Sequence, residues 1–304
     1  MKKILVITAI LIALSACAPK PQPETKLTVM APKGAPAVTL IPLLNDTSDR
    51  ITLVDGTELL TAELIKGEMD LIVAPINLGV KLIEEGNANY ELAAVLTWGN
   101  LYIVDARPAI SVVNDPEPLA MFGIGSVPEM ILNAVNEKLP FRFERVPFAS
   151  VADVRGQLLA DAYRFGLLAE PVASATLAAS KAAGKPFTVV TDLQALWKSV
   201  TGFDNYPQAA LFVRKGLEDP TAITERITLM ETYIQGLDAN PALITADITV
   251  WTPAALGLPS AAVVVAAWEK LNVSVRVARD VDGEIEAFLD RFNLTISDST
   301  YFRP

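Results

Sequence analysis

Cys17 is the only cysteine in a 304-residue chain that has no histidine, and those two facts narrow the available chemistry. A disulfide would lack its second thiol. Common zinc sites, Cys-His pairs and Ser-His-Asp triads would lack their imidazole. Carboxylate or lysine chemistry stays open, but the composition favours a protein that binds over an enzyme, and no cofactor or metal is expected. The formal net charge of -10 argues against a nucleic-acid partner, which would call for a basic footprint. It says little about a small ligand, which responds to local groups.

The surroundings of Cys17 suggest its use. A basic start, Met1-Lys2-Lys3, precedes the apolar run Ile4 to Leu14 and then small residues, the layout of a secretory signal. The run is shorter than the roughly 20 residues that cross a bilayer. Leu14-Ser15-Ala16-Cys17 resembles a bacterial lipobox. That implies a signal peptide at 1–16, diacylglycerol on the Cys17 thiol, and attachment to a lipid bilayer. The alternative is an ordinary secretory peptide that leaves a free thiol. Pro19, Pro21 and Pro23 make residues 17–25 an extended spacer. The expected location is outside the cytoplasm, on the outer face of the cell membrane or the periplasmic side of a bacterial membrane.

From Lys26 onward, short apolar runs alternate with helical patterns. Leu27–Met30, Ile51–Val54, Asp70–Val73 and Leu92–Leu96 read as strands, and Thr57–Lys66 as a helix ended by Gly67. Met121–Gly125 leads to Ser126 and Glu129, spaced as a capping box, and Phe165–Ala169 leads to Glu170-Pro171. Farther on, Ile223, Ile227, Met230 and Ile234 form one helical stripe, and Ile285, Phe288, Leu289 and Phe292 another. With 51% hydrophobic residues the body can build a large core in one or two domains. Strands with helical crossovers imply a parallel α/β sheet.

In such sheets ligands sit beyond the carboxyl ends of the strands, where helix N-termini offer backbone N–H groups. That rule selects Lys33, Gly34, Asn77, Trp98, Asn100, Gly125, Ser126 and Glu170. Gly34 and Gly125 would let backbone approach a ligand. Ser126 and Asn77 could cap helices, contact a ligand, or do both. Trp98 could offer a flat face to an aromatic solute or pack internally. Glu170 could complement a helix dipole or bind an amino or amidine group. Lys33 could pair with an anion or stay solvated.

TVMAPKGAPAV (Thr28–Val38), KGEMDLIVAPINLGVKL (Lys66–Leu82), AAVLTWGNLYIV (Ala93–Val104), FGIGSVPEMIL (Phe122–Leu132), LLAEPVASATL (Leu167–Leu177) and YPQAALFVRK (Tyr206–Lys215) occur in one order along the chain. Together they resemble the solute-binding lipoproteins of ABC importers, in the nitrate/sulfonate/taurine-type group with the type II periplasmic-binding-protein fold. The resemblance implies an α/β fold of two lobes, each a mainly parallel sheet flanked by helices, joined by two hinge crossings. Lobe I would be 26–104 and 212–304, and lobe II 105–211. It further implies a monomer that takes a small-molecule solute into the interlobe cleft and delivers it to an ABC permease in the membrane. Asn205, before the second crossing, could line that cleft or shape the hinge. The fold also hosts enzymes, such as a chorismate dehydratase, and a structural surface lipoprotein is the other alternative. The scarcity of arginine at the cleft positions favours a neutral or heteroaromatic solute over a strongly charged oxyanion.

Overall fold

Aliphatic and β-branched runs bounded by glycine, proline and aspartate fold into two sheets, described by a computed structural model for residues 26–46, 48–109 and 115–304. The expected leader, Cys17 and the proline spacer lie outside the described residues. The strands are β1 (Thr28–Pro32), β2 (Arg50–Val54), β3 (Leu71–Pro75), β4 (Tyr90–Trp98), β5 (Leu101–Asp105), β6 (Glu117–Met121), β7 (Phe143–Pro147), β8 (Phe165–Ala169), β9 (Thr188–Asp192), β10 (Pro207–Arg214) and β11 (Val273–Val277). The first sheet has the order β11-β4-β10-β3-β1-β2, and the second β7-β6-β8-β5-β9.

Strands joined by helical crossovers are parallel: β1 with β2 and β3, and β6 with β7 and β8. The others are antiparallel: β10 against β3 and β4, β11 against β4, and β5 against β8 and β9. The sheets are mixed in pairing, yet β1, β2, β3 and β4 share one direction in the first and β6, β7, β8 and β9 in the second, so each lobe is mainly parallel as expected. For β5 and β10 the cause of the reversed direction is the crossing itself; β11 instead follows helices of its own lobe. A strand arriving from the other lobe begins at the cleft and runs away from it, opposite to the strands that end there.

The crossings also move the expected boundaries. β5 belongs to the second sheet, so residues 101–104 do not sit with the first. β10 belongs to the first sheet, so residues 207–211 do not sit with the second. The chain passes over at Gly99-Asn100 and near Asn205-Tyr206. Asn205 Oδ1 accepts the N–H of Gly99 at 2.8 Å and that of Tyr206 at 2.9 Å, so one side chain ties both crossings together.

Gly99 is required by close approach: a Cβ there would lie 2.6 Å from the Tyr206 ring and 2.7 Å from Asn205 Oδ1. Overpacking of this kind costs roughly 1–3 kcal/mol. Gly99→Ala is expected to lower the urea midpoint by a corresponding amount, and an unchanged midpoint would mean that the crossings separate freely.

Behind the crossings lies an aromatic joint. Trp197, in the helix Leu193–Thr201 beside the second sheet, meets Tyr206, Phe288 and Phe292 with ring centroids 5.5, 5.9 and 6.3 Å away. Phe288 belongs to the C-terminal helix Asp282–Asp290, whose predicted stripe is buried at Ile285, Phe288 and Leu289. The apolar core is therefore continuous from one lobe to the other. A second core lies on the opposite face of the first sheet. There the stripe Ile223, Ile227, Met230 and Ile234 of the helix Pro220–Ala239 is buried as expected.

Candidate functional site

The strand ends from both lobes enclose a cavity of about 300 Å³. From the first lobe it is lined by Pro32 to Pro36 after β1, Val54 to Thr57 after β2, Pro75, Thr97, and Gln208-Ala209 at the start of β10. The second lobe contributes Phe122-Gly123 after β6, Ala149 to Ala152 after β7, and Ala169 to Val172 after β8, with Asn100 at the crossing. Most of these side chains are apolar, which suits a pocket for a small organic molecule.

Four of the sequence-selected residues line the cavity: Lys33, Gly34, Asn100 and Glu170. Gly34 has φ 97, a left-handed value that favours glycine, and its N–H donates to Leu256 O at 2.9 Å. Lys33 Nζ contacts Asp55 Oδ2 at 2.7 Å. Asn100 is 3% exposed. Its Nδ2 donates to Leu271 O at 3.1 Å, while its Oδ1 is buried with no partner among the described residues.

Glu170 is also buried, 4% exposed. It caps the helix Val172–Ala182, accepting Ser174 N–H on Oε2 at 3.0 Å and Ser174 Oγ–H on Oε1 at 2.8 Å. The dipole-complementing role is thus present. A carboxylate has about four lone-pair sites, so acceptor capacity remains beyond the two bonds from Ser174.

Burial pushes the Glu170 carboxyl above its ordinary value, and the Ser174 bonds only partly oppose it. A carboxyl raised in the folded state holds its proton longer there than in the unfolded chain, so stability falls as pH rises from the ordinary carboxyl range through the raised value. Glu170→Gln, which cannot ionise, is expected to flatten that decline. At about pH 8, well above the ordinary carboxyl value, the ligand-free variant should melt no lower than the parent, as read by calorimetry; a clearly lower melting temperature would contradict this.

The remaining selected residues lie elsewhere. Trp98 is buried beside β11, its Nε1 donating to Ser274 O at 3.1 Å, with the Arg276 guanidinium 4.9 Å over its ring. It therefore packs internally. Asn205 is engaged at the crossings. Asn77 is the second residue of the helix Ile76–Glu84 and does not cap it; its Nδ2 donates across the lobes to Gly125 O at 3.3 Å. Ser126 precedes the helix Val127–Ala134 without a side-chain cap bond. Its Oγ donates to Gly123 O at 3.2 Å, and Glu129 Oε2 accepts Gly125 N–H at 2.8 Å, so the expected capping box does not form. A capping box does form at Ser150 and Asp153.

The sequence reading missed Asp55, Thr57, Phe122, Ser150 and Gln208 in the lining. The first four follow strand ends and were open to the same rule. Gln208 was not, because it opens an antiparallel strand.

No family model matches the chain, and no curated protein matches it by sequence. Solved structures do match. An ABC transporter protein from Parabacteroides distasonis is 20% identical, with 92% of this chain and 99% of that one covered and a TM-score of 0.72. The alkanesulfonate-binding protein SsuA from Xanthomonas axonopodis pv. citri, bound to MOPS, is 16% identical, covering 94% and 100%, with a TM-score of 0.66. The periplasmic aliphatic sulphonate binding protein SsuA from Escherichia coli is 14% identical, covering 90% and 87%, with a TM-score of 0.65. The chain has the two-lobed α/β fold shared by these proteins.

Proposed function

We propose that this protein is the solute-binding component of an ABC importer, held by a lipid on Cys17 to a bacterial membrane, at the outer face of the cell membrane or on the periplasmic side, and that it works as a monomer. The observation that carries this reading is the cavity drawn from both lobes, which the Asn77–Gly125 bond also links. A small organic solute entering between the lobes is buried by rotation about the two crossings, and the closed form delivers it to the permease. The division into lobe I (26–104 and 212–304) and lobe II (105–211), shifted at both crossings as described, is the frame for that motion. Fold likeness to transport proteins supports the reading, and fold alone does not fix a function.

Native mass spectrometry of the full chain in mild detergent tests it. The expected result is a small non-covalent mass that leaves on mild unfolding, together with a diacylglyceryl mass on the peptide that begins at Cys17. Turnover of the bound molecule would replace the receptor reading with an enzymatic one, and an unmodified Cys17 in membrane-extracted protein would remove the anchor.

A further inference from the structure

The polarity of the cavity wall says what kind of solute it fits, given the receptor reading above. The charged residues lining it are Lys33, Asp55 and Glu170. Lys33 is held by Asp55, 2.7 Å away. Glu170 has no salt bridge among the described residues; its carboxylate accepts hydrogen bonds only from Ser174 among them, and Lys270 acts on it through space as an opposing charge. The wall is therefore negative on balance, with its one cation engaged.

An anion would ordinarily look to helix N-termini instead. Here the first-lobe helices Glu58–Lys66 and Ile76–Glu84 start without a side-chain cap, and the second-lobe helix starts around the cavity carry the protein's own acidic side chains. Asp153 and Ser150 cap the helix Val151–Leu159, and Glu170 caps Val172–Ala182. Glu129 holds the Gly125 N–H ahead of Val127–Ala134. An oxyanion at these ends would face carboxylates where it needs donors.

Acceptors, by contrast, are left over. Asn100 Oδ1 is buried and unpartnered, its orientation set by the Nδ2 bond to Leu271 O. Leaving such a group dry is costly, and a donor from the ligand would recover that cost. Asn100 and Glu170 are neighbours just beyond the ends of the paired strands β5 and β8, since Glu170 N–H donates to Asn100 O at 3.0 Å. Phe122, Val127 and Val172 supply apolar wall around them.

We infer that the cleft takes a small, largely apolar solute bearing an amino, amidine or ring N–H group, neutral or singly cationic, whose donors are received by Glu170 and Asn100 Oδ1. Glu170 thus caps a helix with one part of its carboxylate and reads the solute with the rest. Burial that raises its pKa would be offset by a cationic partner, so binding of such a solute strengthens as Glu170 ionises.

The test uses benzamidine and benzenesulfonate, two aryl probes of similar size and opposite charge, titrated calorimetrically into the full chain in mild detergent and into Glu170→Gln. Benzamidine is expected to bind at least about tenfold tighter than benzenesulfonate, with Glu170→Gln removing most of that difference, on the order of 1.4 kcal/mol or more. Tighter or equal binding of benzenesulfonate would overturn the inference and leave the receptor reading standing. An amidine preference that survives in Glu170→Gln would also overturn it. If neither probe binds, the mass released in native spectrometry decides: a molecule with a basic or N–H group supports the inference, an oxyanion without one overturns it, and no molecule at all overturns both readings.

Discussion

Arg226→Ala is expected to lower the stability of the fold by roughly 3–5 kcal/mol, the usual consequence of stranding a buried charge. Arg226 and Asp49 have side-chain exposures of only 10% and 2%. The guanidinium donates through Nε and Nη2 to the two carboxylate oxygens, each at 3.1 Å. Asp49 Oδ1 also accepts the Leu27 N–H at 3.0 Å. One pair thus fastens the helix Pro220–Ala239 to the entrances of β1 and β2. Removing the arginine leaves the carboxylate dry and without its cation. The double variant Asp49→Asn/Arg226→Met leaves no buried charge and should lose clearly less than the single variant. Urea midpoints measure both, and equal losses would mean that the pair acts by packing alone.

Trp197→Ala is the second large effect, about 3–5 kcal/mol for truncating a buried tryptophan. The indole is 1% exposed and donates Nε1–H to Asn205 O at 3.1 Å. It packs among residues from the second lobe, the crossing and the C-terminal helix, so its loss opens a void where the lobes are joined. Trp197→Phe keeps an aromatic surface and loses the N–H donor, and should cost a minority of that figure. A small loss in the alanine variant would show that the joint closes around the gap and does not bear on the lobes' attachment.

These sites differ in how far the sequence announced them. The helical stripe that carries Arg226 was legible by its apolar spacing, because one face packs and the other is wet. Its salt bridge was not, since Asp49 lies 177 positions away. Among the lining residues, Lys33, Gly34, Asn100 and Glu170 were legible from strand ends followed by turn residues. Trp98 was read ambiguously because β4 is buried on nearly every residue; without alternation, nothing indicates which way its side chain points. Ser126 and Glu129 had the right spacing for a capping box. The glycine turn that precedes them supplies Gly123 O and Gly125 N–H as nearer partners, and local spacing is blind to that competition. The mixed sheets were hidden for a related reason: a strand's direction depends on where the chain returns from, which no short window contains.

The place of β10 in the first sheet governs how the chain can assemble. β10 lies between β3 and β4, yet it is made only after the whole second sheet. Until it arrives, β3 and β4 each present a bare apolar edge, the arrangement that invites pairing with other chains. The strands of the second sheet, by contrast, come from one continuous stretch and need nothing from later sequence to pair. Assembly therefore runs from the inserted lobe outward, with the first sheet closing late through long-range contacts, a slow step by topology. A chain that ends before Pro207 would leave those edges open for good, and would aggregate even though it lacks none of the second sheet's strands.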